Sequence, residues 1–129
     1  MQQLQADLGT SILLITHDLG VIAETADRVA VMYAGLIVEE ADVHTIFKNP
    51  VHPYTQGLLR SIPRIDEAQR PQRLTEIPGR VPNLFLLPEG CTFIDRCPVA
   101  IDHCKVEVPE LVQIEDGHFV RCWLNDGSL

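Results

Sequence analysis

Two sets of residues in this sequence have the types and the spacing to do chemistry. The first is in ILLITHDLGV, residues 12–21, where four apolar residues run straight into Thr16, His17 and Asp18. A histidine directly after a buried apolar run needs a reason, and its chemistry offers two. The ring can bond a backbone carbonyl and serve the core, or one nitrogen can donate to a ligand while the other fixes the tautomer. The second set is Cys91, Cys97, Cys104 and Cys122, spaced C-x5-C-x6-C-x17-C. Four thiolates suit an iron–sulfur cluster. Structural zinc usually shows CxxC knuckles, and none exists here. Four reduced thiols buried as small apolar side chains are the third reading. His103 and His118 are the candidate substitute ligands, and Pro98 follows Cys97 directly.

These residues must be positioned by the elements around them. SILLIT, residues 11–16, is a short continuous apolar run, expected as a strand covered on both faces. Parallel sheets bind ligands outside the carboxyl ends of their strands, and His17 falls at such an end. Asp18 is expected to cap a helix with Leu19, Ile22, Ala23 and Ala26 on one face. RVAVMY, residues 28–33, reads as a strand, Ala34 and Gly35 as a turn, and LIVEE as an antiparallel return strand. Glu39 and Glu40 read as a solvated hairpin end. Asp42 can cap a helix with Val43, Ile46 and Phe47 inward. Pro53 suits a helix start, followed by Tyr54, Leu58 and Ile62 on one face. The simpler reading of His52, Pro53 and Tyr54 is such a capped start; the other is a contact with a partner subunit. Met1, Leu4 and Leu8 have helical spacing with no cap before them, like the tail of a longer helix. Strands alternating with helices predict an α/β layer arrangement up to about residue 62.

The composition then shifts. Pro63, Pro71, Pro78, Pro82 and Pro88 exclude long regular elements, and an extended connector lying over the first unit is expected. Residues 91–123 read as a distinct cysteine-bearing unit with Trp123 as its core anchor. At 129 residues the chain has enough length for one sizeable core. Its net charge of −8, from 10 basic and 18 acidic residues, argues against nucleic acid or anionic lipid as the main partner. No window approaches the roughly 18 to 20 apolar residues of a spanning helix, and no basic segment with an apolar core opens the chain as a signal peptide would. A cytosolic location is expected, with membrane association only through a protein partner. That setting disfavours disulfides.

LLITHDLGVIAETADRVAVMYAGLIVEE resembles the last part of an ABC-transporter nucleotide-binding subunit. NPVHPYTQGLL, IPGRVPNL and GCTFIDRCPVA with the later cysteines and HFVRCW resemble the C-terminal extension of the ATP-binding subunits of dipeptide and oligopeptide importers. The resemblance implies an α/β fold: residues 1–62 as the C-terminal part of an ABC ATPase domain, and 63–129 as a small irregular Pro/Cys-rich extension. It implies that His17 is the switch-loop histidine that contacts the γ-phosphate of ATP. It implies a [4Fe-4S] cluster on Cys91, Cys97, Cys104 and Cys122, as some members carry. It further implies ATP with Mg as the substrate, a second ATP-binding subunit and transmembrane permease subunits as partners, and a peripheral place on the cytoplasmic side of the membrane.

ATP chemistry on this fold needs a GxxxxGK[ST] phosphate loop, a Mg-binding aspartate and a residue that positions water. None of these motifs occurs in the sequence, nor does the ABC signature; in the family they lie upstream of the position matched by Met1. The chain is therefore expected to correspond to the last third or so of a subunit, to be inactive alone, and to leave sheet edges and apolar surface uncovered. The alternative is a free-standing iron–sulfur or zinc-binding interaction module on an ABC-derived scaffold.

Overall fold

The computed structural model describes residues 9–61 and 76–125. Its centre is the hairpin of β1 (Arg28–Tyr33) and β2 (Leu36–Asp42). Alternation along β1 buries Val29, Val31 and Tyr33 and turns Arg28, Ala30 and Met32 outward. The strands close with Tyr33 opposite Leu36, leaving Ala34 and Gly35 as a two-residue loop. Their φ angles of 48° and 83° are the paired left-handed conformations of a turn whose twist matches the strands.

Three helices follow the sequence signals. The α1 helix (Leu19–Thr25) is capped by Asp18, whose carboxylate accepts from the N–H groups of Gly20 and Val21 at 2.9 and 3.2 Å. The α2 helix (Val43–Lys48) is capped by Asp42, which accepts from the Thr45 N–H at 3.0 Å. The α3 helix (Pro53–Arg60) starts on Pro53 after a cap by His52. Two further strands, β3 (Val112–Glu115) and β4 (His118–Val120), complete a sheet of order β1-β2-β4-β3. Glu39 and Glu40 of β2 stand opposite Val120 and Phe119 of β4, so the sheet draws strands from both ends of the described chain.

Every ladder among the described residues is antiparallel, including the return strand expected of LIVEE. The fold is a mixed arrangement of helices around an antiparallel sheet. SILLIT is the specific departure: residues 11–16 form no strand, and Leu13 and Ile15 are each 89% exposed. An apolar run becomes a strand only when a neighbour pairs its backbone. None of the four described strands lies beside it. His17 thus follows an irregular exposed segment. The expected helix through Met1, Leu4 and Leu8, the place of Ile62 at the end of α3, and the connector positions Pro63 and Pro71 lie outside the described residues. Residues 76–88 contain neither helix nor strand, as their prolines require.

The core gathers Val29, Val31, Tyr33, Val38, Ala41, Ile46 and Phe93. Phe93 comes from the cysteine-bearing segment. Its ring meets Tyr33 edge-on at 5.1 Å and Tyr54 at 5.5 Å, so that segment shares the core of the hairpin. Gly35 tests the turn separately from packing. A Cβ at Gly35 would meet nothing within 4 Å, so Gly35→Ala charges the chain only for its positive φ. It is expected to lower unfolding stability by about 1 kcal/mol, read as a shift in the urea midpoint.

Candidate functional site

His17 sits at an exposed corner between the irregular segment and α1. The Thr16 hydroxyl oxygen accepts the Asp18 N–H at 3.0 Å, and the Asp18 carboxylate caps the helix on the other side. The helix is fixed in turn by Ile22 and Ala26, which pack against the core, and by a bond from the Val43 N–H to the Asp27 carbonyl at 3.0 Å.

The second polar assembly is buried. Glu39 is fully buried, not part of a solvated hairpin end as its sequence position predicts. The cause is a bulge between the pairs Val31–Glu39 and Met32–Ile37, which gives β2 one additional residue, Val38. Glu39 then shares the inward face of Val31. Its Oε1 accepts from the Val51 N–H at 2.7 Å and lies 2.9 Å from His118 Nε2. Its Oε2 accepts from the His52 N–H at 3.0 Å. Because a carboxylate only accepts, this arrangement assigns the donor role to His118 Nε2. One carboxylate thereby ties β2, the entry to α3 and β4 together.

His52 works beside it through its ring. Nδ1 accepts from the Tyr54 N–H at 3.1 Å, which fixes this nitrogen as the unprotonated one. Burial pushes its pKa down to about 4, while the Glu39 charge and a hydrogen bond with the Arg121 backbone pull the other way. Arg121 satisfies the bulged edge: its N–H donates to the Val38 carbonyl at 2.8 Å, and its guanidinium to the Ile37 and Pro109 carbonyls at 2.8 and 2.9 Å. The helix-start reading of His52, Pro53 and Tyr54 therefore describes their local structure, with His52 itself as the cap.

Arg96 ties down the segment before the cysteines. Its guanidinium donates to the Ile77 and Pro78 carbonyls, each at 3.0 Å, and reaches the Tyr33 hydroxyl at 3.4 Å. Ile77 lies so close to α3 that a Cβ on Gly57 would come within 2.8 Å of its side chain. Sequence reasoning missed Glu39, Arg96 and Arg121. Only the bulge and the long-range partners explain them, and neither leaves a local signal.

The four cysteines are reduced thiols. The Cys91 N–H donates to the Cys104 carbonyl at 2.8 Å, an approach that only glycine permits at position 90, where a Cβ would stand 2.2 Å from that oxygen. Cys104 and Cys122 are buried, Cys91 and Cys97 half-buried. Burial pushes the Cys91 thiol up to about 11, and charge on the other three cysteines would add to the rise; Cys97 is raised for the same first reason. The four are thus near neighbours, but among the described residues no three Cys, His, Asp or Glu side chains converge as a metal site. The described side chains therefore give no support to the zinc ion or iron–sulfur cluster expected on Cys91, Cys97, Cys104 and Cys122. The proposed substitutes are committed elsewhere: His118 to Glu39, and the His103 ring to an edge contact with Trp123 at 4.2 Å. Trp123 is half-buried and donates its indole N–H to the Glu107 carbonyl at 3.1 Å, pinning a loop rather than filling a core.

Residues 38–104 match the family described as the C-terminal region of oligopeptide/dipeptide transporters, and this chain belongs to that family. The matched stretch runs from β2 through Glu39, the HPYT turn, Cys91 and Cys97 to Cys104. The oligopeptide transport ATP-binding protein AppD of Bacillus subtilis is 52% identical over 124 residues, covering 96% of this chain and 37% of AppD. The oligopeptide transport ATP-binding protein OppD of Mycobacterium tuberculosis is 50% identical over 114 residues, covering 88% of this chain and 18% of OppD. The chain thus spans little more than a third of AppD and less of OppD, both of them ATP-binding proteins of oligopeptide transport.

Two measurements follow from the buried groups. Because the folded pKa of His52 lies below its unfolded value near 6.5, its contribution is intact above pH 6.5 and is lost as pH falls toward 4. Between pH 7 and 4 the native protein is expected to lose roughly 2–3 kcal/mol more stability than His52→Asn, which keeps a capping side chain but does not titrate. Urea unfolding at stepped pH reads the difference. For Cys91, with its thiol near 11, iodoacetamide labelling at pH 8 should run roughly 100-fold slower than for an unstructured cysteine, followed by mass spectrometry. Stoichiometric iron and sulfide in an anaerobic sample would instead mean that the four thiols close on a cluster.

Proposed function

We propose that this chain is the C-terminal portion of the ATP-binding subunit that energises ATP-driven import of di- and oligopeptides through a membrane ABC transporter. The observation that carries this reading is the identity of about half its residues, over nearly its whole length, with ATP-binding proteins of oligopeptide transport. In the complete subunit, ATP with Mg is held by upstream motifs that this sequence lacks. His17 supplies an exposed imidazole that donates one hydrogen bond to a γ-phosphate oxygen, where charge builds during hydrolysis.

The partners in this reading are a second ATP-binding subunit and the transmembrane permease subunits, and the complex places the chain peripherally on the cytoplasmic side of the membrane. No helix among the described residues is long and apolar enough to cross a membrane itself, which is compatible with that place. The free-standing iron–sulfur or zinc module has less support, since the described residues offer no converging ligand set.

The test is His17→Ala in the full-length subunit. Turnover measured by phosphate release should fall roughly 100-fold, as for the loss of one donor to developing charge, while ATP affinity changes little. The isolated chain, without a phosphate loop, sets the zero of the assay. Unchanged turnover in His17→Ala would take His17 out of the chemistry.

A further inference from the structure

The corner that carries His17 is closed by a bond that spans it. The Thr16 hydroxyl oxygen accepts the Asp18 N–H at 3.0 Å, so the two residues flanking the histidine are clipped to each other. The need for this clip follows from the cap. An N-cap residue's own N–H is often bonded by a Glu or Gln side chain three positions into the helix. Here Val21 occupies that position, and its side chain has no acceptor. Thr16 takes over the task from the N-terminal side. His17 is itself exposed, and its backbone is bracketed by the Thr16 bond before it and the Asp18 cap after it. Gly20 leaves room for the second of these: a Cβ there would stand 3.2 Å from the Asp18 carboxylate.

We propose that Thr16 is a positioning residue for His17, its hydroxyl clipping the Asp18 amide so that the imidazole is presented in one direction to the γ-phosphate. This rests on the role proposed for His17. A donor must be held to within about half an ångström and 10–20° of its working geometry. Thr16 touches no substrate; it acts through the histidine.

The experiment uses the full-length subunit with Thr16→Val, Thr16→Ser and His17→Ala. Thr16→Val should lower kcat roughly five- to tenfold with the KM for ATP unchanged, and Thr16→Ser, which keeps the hydroxyl, should restore it. Amide exchange at Asp18 should quicken in Thr16→Val and not in Thr16→Ser. Should Thr16→Val fail to fold, Thr16→Ala is held to the same outcomes. Full turnover in Thr16→Val beside an impaired His17→Ala would overturn this inference alone, as would an equal loss in Thr16→Val and Thr16→Ser. Unchanged turnover in His17→Ala would overturn the proposed function, and this inference with it.

Discussion

The structure depends on a carboxylate that water never reaches. Glu39 lies fully buried in the middle of β2, and it is tolerable there only because three donors from two other parts of the chain close on it. An ionised carboxylate stripped of such partners costs on the order of 3–5 kcal/mol. The arrangement therefore acts as a requirement on geometry: the entry to α3 must sit above the sheet, and β4 must lie alongside β2, or the charge is stranded. Hydrophobic contacts around Phe93, Tyr33 and Tyr54 add packing energy, but they would accept several neighbouring arrangements. The carboxylate accepts one.

The same requirement explains why the HPYT turn and the C-terminal strand belong to one folded body. His52 offers its backbone N–H to Glu39 and its ring to Tyr54, while Arg121 satisfies the carbonyls exposed by the bulge. Glu39 and Arg121 each serve the backbone of an element other than their own, while the His52 ring caps α3. The Arg96 strap repeats the principle at the other side of Tyr33, holding Ile77 against α3 through two carbonyls. The irregular segments are ordered by side-chain bonds to the backbone, where regular elements would use ladders.

What the sequence disclosed follows from the range of the forces involved. Caps at Asp18 and Asp42, the proline start of α3, the alternation of β1 and the Ala34–Gly35 turn are all decided within four or five residues, and all are present. The fate of SILLIT is decided by a neighbouring strand, and no described strand provides one, so apolar character alone misled. Glu39 was misread because a bulge changes which side chains face inward without altering composition. The cysteines were legible as a group by spacing, but the close Gly90–Cys104 approach that sets Cys91 against the Cys104 backbone is not encoded in spacing. For His17, local signals supplied the corner and its cap, and only family likeness supplied a reason for its exposure.

The partnership of Glu39 with His118 joins positions 79 residues apart. The hairpin and its neighbouring helices have short loops to close and are expected to form early, whereas β4 must cross a long intervening stretch before it docks. Until it arrives, Glu39 holds its two backbone donors but lacks the third. As the chain leaves the ribosome, the hairpin is made well before His118 is synthesised. Among the described strands, β4 is therefore the one that brings the third partner to Glu39. Docking of β4 is accordingly the step that completes the centre of the described fold, and synthesis that stops short of it leaves a hairpin assembled around an unfinished centre.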